Sequence, residues 1–421
     1  MQPNSPVLIL TVLIAALCTN VSVGNEFQSP GHGNTALGRH QQDSETVRQA
    51  LTDYHTGADK SGAVLRVVYF RPANVDSQSE FRPRITRIMF DMQDFLKTEM
   101  ARNGFTDAVL PLELDGKHVR IHEVVGRDDA DGYSHDSGQK VQREVQAALR
   151  DRFSVRAEYV LIFNGMCRIE AERKYFFYAP YYGDASSSHQ RGLCHVADCE
   201  ILDPVLLTDT KRMMSYREHN GSFTQSVADF NSKYLGGVIH ELGHGLSLPH
   251  NGQTPGERNA MGNALMGFGN HTYRKEVWSD SKGTFLTFAS AVRLASHPLF
   301  TGSNRGREIQ VRPELKNLKF EGTGNKLIVS GEVSESRVRA HSVILYVDPP
   351  GRGGYDAVTT VASVDSGHFE VEGSCLRSGP HDLRLVTCHV NGATSTQHFT
   401  MTVGDGGVPD RKSIKRSQKR R

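Results

Sequence analysis

His240, Glu241, His244 and His250 fall within one stretch, "GGVIHELGHGLSLPHNG", running from Gly236 to Gly252. Four helical residues turn about 400°, so His240 and His244 stand about 40° apart, one turn above the other. Two imidazoles so placed can reach the same ion. Glu241 lies about 100° round from His240, close enough to address a water at that ion without binding it. Pro249 removes a backbone donor and pushes Leu248 toward an extended conformation, so the helix must end near Leu246 or Ser247. The chain can then turn back and bring His250 to the same point. Three neutral nitrogen ligands suit Zn²⁺ and leave a fourth position for water. The chemistry expected of such a centre is amide hydrolysis. The ion lowers the pKa of its water to about 7 and polarises a carbonyl, while Glu241 takes the proton and passes it to the leaving amine.

These residues need a helix fixed in a core. Ser226, with Asp229 three residues on, reads as its cap. Val227, Phe230, Tyr234, Leu235, Val238, Leu242 and Leu246 form an apolar stripe distinct from the histidine face. Gly236 and Gly237 leave room for another segment to approach. Upstream, "VLRVVYF" (64–70), a helical run from Ile85 to Met100, "HVRIHEVV" (118–125), a second helix marked by Val141, Val145 and Leu149, and "YVLIFNG" (159–165) alternate strand with helix. That order predicts a layered α/β domain with a mixed sheet over residues 61–304. Its last helix is expected within 284–300. The aromatic, then Gly/Ser-rich, stretch 174–193 reads either as an edge strand with a loose loop or as a substrate-binding rim. From 305 to 404 the texture turns to short strands between Gly, Pro, Asn and Ser, the pattern of an all-β sandwich of immunoglobulin or fibronectin-III type.

The motif resembles that of the metzincin clan of zinc metallopeptidases, which use HExxHxxGxxH and a downstream methionine turn. The likeness covers residues 236–270, including Met266 in "NALMGFGN". It implies a metzincin-like catalytic domain, Zn²⁺ held by His240, His244 and His250, Glu241 as general base, and Met266 as the Met-turn residue, with Met261 a poorer fit. It implies an exported zinc metalloendopeptidase acting on proteins or peptides. Two positions depart from the clan pattern. Ser247 stands where glycine is expected, and a left-handed backbone there would cost a non-glycine residue roughly 1–2 kcal/mol. Phe268 stands where some members carry a tyrosine; Tyr273 is the nearest alternative, with packing its other reading. Two rival readings stay open: a peptidase whose third ligand is Glu257 or Glu276, and an inactive extracellular binding protein on a peptidase scaffold, against which the intact Glu241 argues.

With 49 basic and 47 acidic residues among 421, no global basic field exists to favour nucleic acid as a partner. The apolar run Pro6–Cys18 reads as a signal-peptide core, giving a signal segment over 1–24 and a secreted or cell-envelope location. Residues 25–60 read as a flexible leader or pro-segment, and 405–421 as a basic, disordered tail. Of the cysteines, Cys375 and Cys388 are expected to pair, and an exported chain could also pair two of Cys167, Cys194 and Cys199, leaving an odd thiol. Three roles fit the β-sandwich: binding substrate, contacting a glycan or the cell surface, or bracing the catalytic domain.

Overall fold

A computed structural model describes residues 36–170, 174–185, 189–312, 314–374 and 376–417. The signal segment 1–24 lies outside these, and so does Cys375, on which the expected pairing with Cys388 depends.

The first element is a helix, α1 (Ala36–His55), in a segment expected to be a flexible leader. Its Val47, Ala50 and Leu51 are buried, and Asp43 Oδ1 accepts the Ser363 N–H at 2.9 Å. The His55 ring bonds the Val390 carbonyl at 2.7 Å. Few of its residues are apolar, which is why no amphipathic stripe announces it.

The strands Leu65–Arg71, Ile121–Val125, Tyr159–Asn164 and Gly192–Ala197 pair in parallel, and Tyr182–Asp184 adds an antiparallel edge beside the last of them. Helices α2 (Phe81–Arg102) and α3 (Gly138–Leu149) bury the apolar faces that their periodicity predicts. Arg84 of α2 grips Asp198 through two hydrogen bonds of 2.8 and 2.9 Å, with both side chains buried. This pair ties α2 to the chain just after the strand Gly192–Ala197. A smaller sheet is built from Cys167–Glu170, Lys174–Phe177, Met213–Glu218 and Gly221–Ser226. The stretch 174–193 thus divides between two sheets. Cys167, Cys194 and Cys199 are all free and buried, so the pairing open to two of them is not made.

Helix α4 (Val227–Gly245) crosses the edge of the main sheet. It is followed by α5 (Pro255–Met261), α6 (Phe288–Ser296) and the single turn α7 (Pro298–Thr301). The expected closing helix is split because Pro298 starts a new turn after His297.

Beyond residue 314 the chain forms two antiparallel sheets. One holds Leu315–Thr323, Lys326–Val333 and His368–Gly373. The other holds Val358–Ser363, Ala340–Asp348, Gly379–His389, Thr394–Val403 and Pro409–Ser417. The last strand lies in the segment expected to be a disordered tail, and its backbone pairing with Thr394–Val403 holds it in place. The strand Ala340–Asp348 is buried on both faces. Val343, Leu345 and Val347 enter the core between the two sheets, while Ile344 and Tyr346 enter the core of the α/β region. Side chains alternate along a strand, so this one strand serves two cores. The hydrophobic interior therefore runs without a break across residue 305.

Candidate active site

Helix α4 begins at Ser226, whose Oγ accepts the Asp229 N–H at 3.0 Å, as the sequence predicts. It is held close on two sides. A Cβ on Gly236 would stand 2.2 Å from the Asn270 carbonyl oxygen, and one on Gly237 equally close to the Tyr181 hydroxyl. Those glycines let the 263–273 segment and the 181–184 edge close on the helix.

At its far end Leu246 caps the helix and Ser247 takes φ = 66°, the left-handed turn that the motif called for. The Arg293 guanidinium donates to the Ser247 carbonyl. Pro249 follows, and His250 swings back onto His244. The ligand-capable nitrogens of His240, His244 and His250 all lie within 4.8 Å of one another, and no other such group of three or more occurs among the described residues. Glu257 is engaged elsewhere, in a reciprocal cap with Thr254, and the Glu276 carboxylate packs against Gly283. Neither rival ligand reaches the cluster. Tyr273 is fully buried and donates to Asp91 Oδ2 at 2.6 Å, so it packs and does not face the site.

Each ring is oriented through its Nδ1. His240 donates to the Leu265 carbonyl at 2.8 Å, His244 to Leu248 at 2.8 Å, and His250 to Gly353 at 3.0 Å. A carbonyl only accepts, so each Nδ1 carries the proton and each Nε2 keeps a lone pair. Burial lowers the pKa of all three, to about 3 for His240 and about 4 for His250, and so keeps them neutral. The Nε2 atoms of His244 and His250 face each other at 2.9 Å. Two lone pairs at that distance repel unless a cation lies between them, so the donor set fits a metal ion. Carbonyl acceptors behind ligand imidazoles are a usual accompaniment of such sites.

Met266 is buried beneath the helix, its sulfur 2.5 Å from where a Cβ on Gly243 would be. Its neighbour Leu265 supplies the carbonyl that sets His240. Glu241 points to the sheet edge, where its Oε2 accepts the Gly183 N–H at 2.8 Å. Burial raises its pKa to about 7, and the Gly183 hydrogen bond opposes the rise. A carboxyl so poised can take up or release a proton near neutrality.

Sequence reasoning missed one group at the site. Tyr355, from the loop before Val358–Ser363, stacks on His250 with centroids 3.7 Å apart and lies parallel to His240 at 6.0 Å. Nothing in the local sequence signals a contact made across so much chain.

No protein-family model matches the chain, and no curated protein does. Among solved structures, wild-type OgpA from Akkermansia muciniphila matches with TM-score 0.68 and 23% identity, over 86% of this chain and 97% of that one. Catalytically inactive OgpA in complex with an O-glycopeptide (glycodrosocin) substrate matches with the same coverage and TM-score at 22% identity. Identity this low speaks for the fold alone. The match corrects the expected fold of a metzincin-like catalytic domain with a separate sandwich appended, because it runs over most of the chain and the two regions share a core. The metzincin family assignment, drawn from residues 236–270, does not stand against this fold, nor do the assignments that hung on it. These are the zinc metallopeptidase class, Zn²⁺ as the cofactor, and a zinc-activated water with Glu241 as its base. Three histidines form a ligand set but do not by themselves select zinc. What the comparisons show is that this chain, its C-terminal β-rich region included, has the mixed α/β fold of OgpA.

Proposed function

We propose that this chain is a hydrolase that cleaves peptide bonds in proteins or glycopeptides outside the cytoplasm. The observation that carries this reading is the convergence of three lone-pair nitrogens beside a carboxyl with a pKa near 7, at the open edge of a sheet. The strand Tyr182–Asp184 is that edge, and since its Gly183 N–H is taken by Glu241, an extended peptide laid there would meet the carboxyl first. The O-glycopeptide bound to OgpA in one matched structure supports the substrate class. The apolar run Pro6–Cys18 supports the location.

In this reading Glu241 moves the proton. His240, His244 and His250 would hold a divalent cation, which would supply positive charge where the carbonyl oxygen becomes negative. Met266 underpins the cluster. Of the roles weighed for the C-terminal β-region, bracing has the support of the shared core.

The test is cleavage of matched peptides, one O-glycosylated and one bare, by the full chain and by Glu241→Gln. The parent should cleave at least one of them, and the variant should lose activity by 10²-fold or more, in keeping with general acid–base catalysis. Equal activity in both proteins, or cleavage of neither peptide by the parent, overturns the reading.

A further inference from the structure

The third histidine differs from the other two. His240 and His244 sit on a rigid helix and draw their carbonyl acceptors from nearby chain. His250 lies past the helix end, and its support comes from the C-terminal β-region. The Gly353 carbonyl accepts its Nδ1–H, and the Tyr355 ring stacks on its outer face. That loop is clamped to the chain on either side of the cluster. Gly252 N–H donates to the Ala357 carbonyl at 2.8 Å, and a Cβ on Gly267 would stand 3.0 Å from the Tyr355 carbonyl oxygen. Phe268, partly exposed, lies 5.5 Å from the Tyr355 ring and closes the other side.

Stacking restricts rotation of the imidazole about its χ2 torsion, which is otherwise broad. It works with the single hydrogen bond that His250 donates to Gly353, since one bond at Nδ1 fixes a direction but not a plane. We infer that Tyr355 is a positioning residue: its ring, lent by the C-terminal β-region, holds His250 with its Nε2 aimed at the cluster. The inference rests on the proposed function only in taking that cluster as the reactive centre. It makes the site incomplete without the C-terminal region, a role beyond bracing.

The test uses the full-length chain with Tyr355→Ala and Tyr355→Phe, each first shown to be folded by circular dichroism and its melting temperature. Long-range ¹H–¹⁵N spectra of histidine-labelled, metal-free protein report the tautomer of His250, assigned through His250→Gln. The parent and Tyr355→Phe should show one fixed Nδ1–H tautomer. Tyr355→Ala should show averaged tautomers, and in a second measurement should bind Co²⁺ at least about 5-fold more weakly in competition with a chelator, as expected for loss of a group that orients a ligand. A folded Tyr355→Ala chain that keeps the parent's His250 signals overturns the inference, whatever its cobalt affinity. The spectra need no turnover, so a parent that cleaves no peptide would defeat the proposed function and leave this result standing.

Discussion

The Nε2 atoms of His244 and His250 stand 2.9 Å apart while both rings give their Nδ1 protons to backbone carbonyls. With no proton to share, the two nitrogens are a repulsive pair that a cation turns into a bidentate grip. The purified chain should therefore retain about one divalent transition-metal ion after dialysis, to be read by elemental analysis. His244→Ala and His250→Ala should each reduce the retained ion by 10-fold or more, the size of effect seen when a metal site loses a key group. Full retention in either variant would show that the nitrogens face each other for some other reason. The analysis also names the metal, which the ligand set does not.

Ser247 carries the left-handed turn that brings His250 back to His244. At φ = 66° a serine carries a steric penalty that glycine escapes, although glycine loses more freedom on folding. The Arg293 bond runs to the Ser247 carbonyl and survives the change of side chain. Ser247→Gly should gain about 0.5–1 kcal/mol in urea unfolding and leave the retained ion unchanged. A loss of stability would mean that the serine side chain contributes more at this turn than its backbone costs.

The helix bearing His240, Glu241 and His244 was legible because its cap, its apolar stripe and its terminating proline are local signals. Ser247 even disclosed its left-handed turn, through the glycine it replaces. Other features depend on partners far along the chain. Among its described side chains helix α1 buries the apolar Val47, Ala50 and Leu51, and polar Asp43 ties it to Ser363. The strand Pro409–Ser417 is charged, so its pairing shows in the backbone and not in the side-chain pattern. "SVILYVD" did carry a readable clue. A nearly continuous apolar run marks a strand covered on both faces, as Ala340–Asp348 is between the two cores. The hydrogen bond from His250 to Gly353 spans 103 residues, and no local pattern encodes a contact of that range.

Two further buried histidines add to the acid sensitivity that His240 and His250 carry at the site. His297 and His341 are buried, each has an Nε2 without a hydrogen-bond partner, and burial lowers the pKa of each to about 3. Their charged or titratable neighbours are cationic or neutral: His189, Arg293 and Arg307 around His297, and His389 and Arg339 around His341. Among the described residues no carboxylate offsets a proton gained there. The unfolded chain takes up these protons near pH 6.5 and the folded chain does not, so stability is complete above about pH 6.5 and falls as the pH drops from there toward about 3. Each histidine should contribute a loss of about 1.4 kcal/mol per pH unit within that window. Urea midpoints measured from pH 7 to pH 4.5 should fall steeply, and His341→Gln, provided it folds, should flatten the slope by about one histidine's share. An unchanged slope in that variant would place the acid sensitivity elsewhere in the molecule.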